Sequence, residues 1–179
     1  MERREVPQGR CARYRCPMRL DGQVWFDFSD AAVWHFYRFV RELAARGSTV
    51  SLDWQPLPSE HQHEAMSLFV SLSSHEDRGR FLHALLGLVH LEGQDPSDAD
   101  VVARAAAAAK VDQGPGGSLD DLAHEAAQLG VHRVPSLYRH GPVVTIRLNG
   151  ASLEGDLERR AATILAMTGD DGIWELSKP

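Results

Sequence analysis

From Gln23 onward the chain switches between two hydrophobic rhythms. In QVWFDF, Gln23 to Phe28, the apolar residues are nearly continuous and rich in aromatic and β-branched types, which predicts a central strand buried on both faces. From Ala31 to Arg46 the spacing becomes helical. Val33, Trp34, Phe36, Tyr37, Val40, Leu43 and Ala44 form the stripe, Ser29 or Asp30 supplies the N-cap, and Gly47 ends the helix. TVSLDW, Thr49 to Trp54, predicts a second strand, and the helical crossover between the two makes them parallel.

Pro56 and Pro58 close that strand, and helical patterns follow. SEHQHEAMSLFVSL and SHEDRGRFLHALLGLVHLEG each carry an apolar stripe, with Ser59 and Ser74 as caps and Gly93 as a stop. DPSDADVVARAAAAAK opens on helix-start punctuation, Gly114 to Gly117 form a loop, and SLDDLAHEAAQLG is a further capped helix ending at Gly130. The pattern then returns to strands: VHRVPSLYRHGPVVTIRLNGA reads as a hairpin turning at His140-Gly141-Pro142, and SLEGDLERRAATILAMTG as a helix closing on it. There is no internal repeat.

The 179 residues suit a single domain with its own core, needing no disulfide or metal. A net charge of -6 without a basic stripe excludes a nucleic-acid footprint, although five arginines crowd the first fifteen residues as a basic tail. No apolar run approaches about 18 residues and the N-terminus is polar, so neither a membrane partner nor a signal peptide is expected and the compartment is read as cytoplasmic.

Candidate chemistry is sparse. His61 and His63 point about 200° apart on a helix, and His75, His83 and His90 lie about 11–12 Å apart along one, so no metal site is expected from either set. Cys11 and Cys16 have arginines beside them that favour thiolates, and they are either a residual redox pair or incidental free thiols of a reducing compartment. Phosphate-loop and nucleophile-elbow motifs are absent.

The order strand, helix, strand, helices, strand, strand, helix resembles the thioredoxin fold with an inserted all-helical subdomain. Three segments carry the resemblance: FDFS before the first helix, LDWQPLP after it, and GVHRVPSLYRHG. They are similar to the DsbA-like superfamily, which includes FrnE-type oxidoreductases, 2-hydroxychromene-2-carboxylate isomerases and kappa-class glutathione transferases. The implied class is α/β, divided into a basic tail (1–22), the N-terminal part of the thioredoxin fold (23–58), the helical insertion (59–117), the C-terminal part (118–170) and a C-terminal tail (171–179).

In redox relatives the first helix begins with Cys-Pro-x-Cys, because a helix N-terminus stabilises a thiolate. The resemblance puts Asp30 at the first of those positions and Val33 at the second, so dithiol exchange there is excluded. Asp30 reads either as a plain N-cap or as a general base or ligand contact, with His35 as a candidate partner in proton transfer. The resemblance also implies a cis Val134–Pro135 bond in a groove completed by Trp34. The expected function is binding of a small molecule, a peptide or a low-molecular-weight thiol such as glutathione or mycothiol, without dithiol redox activity. The alternatives are an isomerase or thiol transferase using Asp30 as base, and a non-enzymatic protein forming a homodimer.

Overall fold

The computed structural model describes residues 19–111, 117–148 and 157–167. Strand β1 (Arg19–Phe26) leads into helix α1 (Ala31–Ala45) and strand β2 (Thr49–Pro56). A single 3-10 turn at Glu60–Gln62 then opens a run of four helices: α2 (His63–Ser71), α3 (His75–Glu92), α4 (Ala99–Ala109) and α5 (Leu119–Leu129). Short strands β3 (Ser136–Tyr138) and β4 (Val144–Thr145) and helix α6 (Leu157–Met167) complete the described chain. The sheet order is β2-β1-β3-β4, with β1 parallel to β2 and antiparallel to β3, and β3 antiparallel to β4.

Strand β1 starts at Arg19, four residues before the Gln23 that its apolar run predicts, so its first turn of pairing lies inside the segment expected to be a tail. Tertiary contacts explain the difference. Leu20 is fully buried opposite Val50, and Asp21 receives the Arg139 guanidinium at 2.9 Å. Gly22 has φ +137, and a Cβ there would stand 2.7 Å from the Tyr138 carbonyl oxygen, so a residue that reads locally as a turn signal instead lets β3 approach β1.

The core consists of two apolar clusters. Trp25, Phe26 and Phe28 cluster with Phe69, Phe81 and Leu85 of the insertion, while Leu20 and Val24 cluster with Leu137, Ile146, Leu157 and Ile164. Helix α1 belongs to both, giving Val33 and Tyr37 to the first and Phe36, Phe39 and Leu43 to the second. That double burial fixes its axis and therefore the position of its N-terminus.

Most helix ends follow the capping expected from sequence. Ser74 Oγ accepts from the Asp77 amide at 3.0 Å and Ser118 Oγ from the Asp121 amide at 3.2 Å, and Gly93 and Gly130 end their helices in the left-handed conformation. Ser59 differs. It precedes the 3-10 turn without a capping hydrogen bond, and its buried Oγ has no partner, because α2 itself begins only at His63.

Candidate functional site

The junction between β1 and α1 is held on three sides. Asp27 Oδ1 accepts from the Ser29 amide at 2.7 Å and from the Ser29 hydroxyl at 2.6 Å, which curls the chain out of the strand. Gln62 comes in from the insertion, almost fully buried. Its Oε1 accepts from the Phe28 amide at 3.1 Å, and its Nε2 donates to Asp27 Oδ1 at 2.8 Å and to Ser29 Oγ at 2.9 Å. His90, in the last turn of α3, places Nε2 2.9 Å from the Phe28 carbonyl oxygen. Both backbone groups of Phe28 are therefore satisfied by side chains of the helical insertion.

Asp30 sits at the head of α1 with an extended backbone, and its Oδ1 accepts from the Ala32 amide at 2.7 Å. Its other oxygen, Oδ2, lies 3.4 Å from Arg147 Nη1. Arg147 directly follows Ile146, whose amide donates to the Pro135 carbonyl at 2.8 Å. The Val134–Pro135 bond is cis, and both residues are buried. A chain of contacts thus links the α1 N-terminus, the end of the hairpin and the proline segment.

The exposed flank of this region is aromatic. Trp34 stacks on His90 at 5.7 Å and 11° between planes and on Tyr37 at 6.0 Å and 16°, with the Arg38 guanidinium 5.8 Å from its ring. Burial pushes the His90 pKa below its ordinary 6.5; the bond to Phe28 opposes this, His35 adds to it, and Asp30 and Asp27 act weakly against it. His35, His90 and the two carboxylates therefore share one electrostatic neighbourhood.

Of the residues singled out from sequence, Asp30, Trp34, Val134 and Pro135 fall in this region. His35 is half-buried, and its Nδ1 is inaccessible and without a hydrogen-bond partner. It does not pair with Asp30, whose oxygens go to Ala32 and Arg147. Val33 is fully buried in the core. Cys11 and Cys16 lie outside the described residues.

Three residues of the site escape a sequence reading. Gln62 lies on the same helical stripe as Ala65, Met66 and Phe69, and a polar residue on a buried stripe was the available signal. His90 was read as one of three separate histidines at the edge of a helix, which is true of His75 and His83. Arg147 gives no local signal.

Two cavities, of about 210 and 370 Å³, lie elsewhere, around Trp54. None of Asp30, Trp34, His35, Val134 or Pro135 lines either one.

No protein-family model matches the sequence, and no curated protein is significantly similar to it. Solved structures are similar at the level of the fold. A periplasmic thioredoxin-like protein from Salmonella enterica serovar Typhimurium superposes with a TM-score of 0.58 at 12% identity, over 82% of this chain and 87% of that one. DsbL of the same organism gives 0.55 at 12% identity, over 88% and 92%. Proteus mirabilis ScsC in a transitional conformation gives 0.56 at 12%, over 83% and 70%. The chain has a thioredoxin-like fold, α/β with a helical insertion. No helix among the described residues is long and apolar enough to cross a membrane.

Proposed function

We propose that this is a thioredoxin-fold binding protein without dithiol redox activity, which holds a small molecule, a low-molecular-weight thiol or a peptide beside the Val134–Pro135 segment. The observation that carries this reading is Asp30. It occupies the helix N-terminus where redox members of the resembling superfamily keep their reactive sulfur, and its carboxylate is committed to capping the helix and to Arg147. Carboxylate and guanidinium together give the rim both signs of charge. A thiolate or a terminal carboxylate can meet Arg147, which is half exposed, while Asp30 disfavours an anion placed on the helix axis itself.

The test is calorimetric titration with glutathione, mycothiol and an extended peptide, alongside an insulin-reduction assay. Saturable binding of one of them, weakened about tenfold in Arg147→Ala, is expected together with no insulin reduction. Absence of binding to all three would overturn the reading, and so would reduction of insulin that is lost in a Cys11→Ser, Cys16→Ser double variant, since these are the chain's two cysteines and would then carry thiol chemistry. The cytoplasm is the proposed compartment, on the strength of a chain with two cysteines and no expected disulfide, and cell fractionation tests it.

A second reading is an isomerase or thiol transferase with Asp30 as general base and His35 beside it. The buried, unpartnered Nδ1 of His35 favours it. The engagement of both Asp30 oxygens weighs against it. A homodimer-forming role would place Trp34 in a subunit interface, whereas Trp34 already stacks within the chain against His90 and Tyr37.

A further inference from the structure

The cavities around Trp54 belong to no part of the site above. One, of about 210 Å³, opens between β2 and the first half of α3; the other, of about 370 Å³, opens between α1 and α3. Trp54, Gly79 and Leu82 wall both, so the two are adjoining lobes of one recess beside the edge strand β2; the larger lobe also carries Arg41, Glu76 and Arg80, the last paired with Glu76 and Asp77. The larger lobe is within the size range of small-ligand pockets and the smaller one below it, so a ligand of ordinary size would have to span both.

The chemistry of the smaller lobe is selective. Trp54, Phe69 and Leu82 make its walls apolar, and Asp53 is its carboxylate. That carboxylate is poorly matched within the chain. The Asp53 side chain is 43% exposed; its Oδ2 accepts from Gln55 Nε2 at 2.8 Å, while Oδ1, turned away from solvent, has no hydrogen-bond donor and lies 3.8 Å from His75 Nδ1. The nearby Arg78 does not neutralise it. Its guanidinium lies over Phe69 and donates to the backbone oxygens of Leu72 and Val70. A shielded carboxylate oxygen lacking a donor is costly, and a ligand that brings one removes the deficit. The His75 side chain beside this oxygen is 80% exposed, so it is free to swing aside.

A carboxylate beside aromatic faces is the arrangement that recognises an organic cation, through a charge-assisted hydrogen bond and attraction to the rings. We infer that the recess around Trp54 is a second binding site, which takes a small amine on an aromatic or aliphatic body, with its ammonium toward Asp53 and its body in the lobes against Trp54 and Leu82. The inference is independent of what binds beside Asp30.

Gly79 offers a clean way to block the recess. It lies in α3 and lines both lobes, and a Cβ added there meets nothing within 4 Å, so Gly79→Leu projects into the recess without disturbing the core and improves helix propensity. The probe is 2-phenylethylamine, titrated by calorimetry and by the shift of the Trp54 indole N–H resonance, with 3-phenylpropionate as the same body carrying the opposite charge. Saturable binding of the amine is expected, with the acid weaker by at least about tenfold and Asp53→Asn costing the amine about the same factor. Gly79→Leu should abolish binding while circular dichroism and melting temperature show the fold intact. Equal binding of amine and acid, no saturation into the millimolar range, or undiminished binding in a folded Gly79→Leu variant would each overturn the assignment.

Discussion

The carboxylate of Asp30 performs two jobs that one substitution can separate. Asparagine caps a helix about as well as aspartate but carries no charge, whereas alanine does neither. Asp30→Ala should therefore lose about 1 kcal/mol of stability in chemical denaturation, and Asp30→Asn much less. If an activity is found and Asp30→Asn abolishes it with stability retained, the general-base reading gains and the plain cap loses. Gly22 gives a second residue-level prediction. Gly22→Ala forces a side chain against the Tyr138 carbonyl at a φ that L-residues rarely adopt, and should cost about 1–3 kcal/mol by the same measurement. His90 gives a third. Its folded-state pKa lies below 6.5, so its contribution to stability is complete above that pH and is lost as pH falls toward the lower folded value. Denaturation midpoints between about pH 8 and pH 5 should show the decline, and His90→Gln should flatten that part of the curve. The cap at Asp30 and the burial of Val33 were legible in the sequence because each depends on neighbours along the chain. Arg147, 117 positions from Asp30, was not, since only the fold brings the two together.

At the scale of elements, the rhythm of apolar residues located each helix and strand of the described chain, and Gly or Ser punctuation located most of their ends. It failed where an element depends on another's surface. The first residues of β1 are RLDG, which carry no strand signal, yet Leu20 is buried and Gly22 admits β3. Ser59 reads as a cap, but the following residues take a 3-10 turn that points Gln62 inward. This turn is the functional contact of the insertion with the core. Gln62→Ala should leave the Phe28 amide buried without an acceptor, at a cost of about 1–3 kcal/mol, and hydrogen exchange at Phe28 and Ser29 should speed up more than in α3. Equal acceleration across α3 would mean that Gln62 supports the insertion generally rather than this junction.

For the whole molecule, α1 gives buried residues to both apolar clusters and so ties them together. Leu91 is the large hydrophobic residue left strongly exposed among the described residues, which offer little apolar surface of their own to a subunit interface. Light scattering after size exclusion should accordingly report the mass of one chain, and a dimeric mass would revive the interaction-protein alternative. The fold class could be read from element order, whereas the surroundings of Asp30 could not, because they are built by side chains converging from the segment after β4, from α3 and from the turn before α2. The grip on Phe28 has an evolutionary and engineering consequence. Because Gln62 and His90, from two separate elements of the insertion, hold the amide and the carbonyl of one residue, that subdomain is not an accessory that can be trimmed or exchanged at will. A chimera carrying a foreign insertion would keep its sheet yet unseat the head of α1, so any transplant between relatives must carry these two side chains with it.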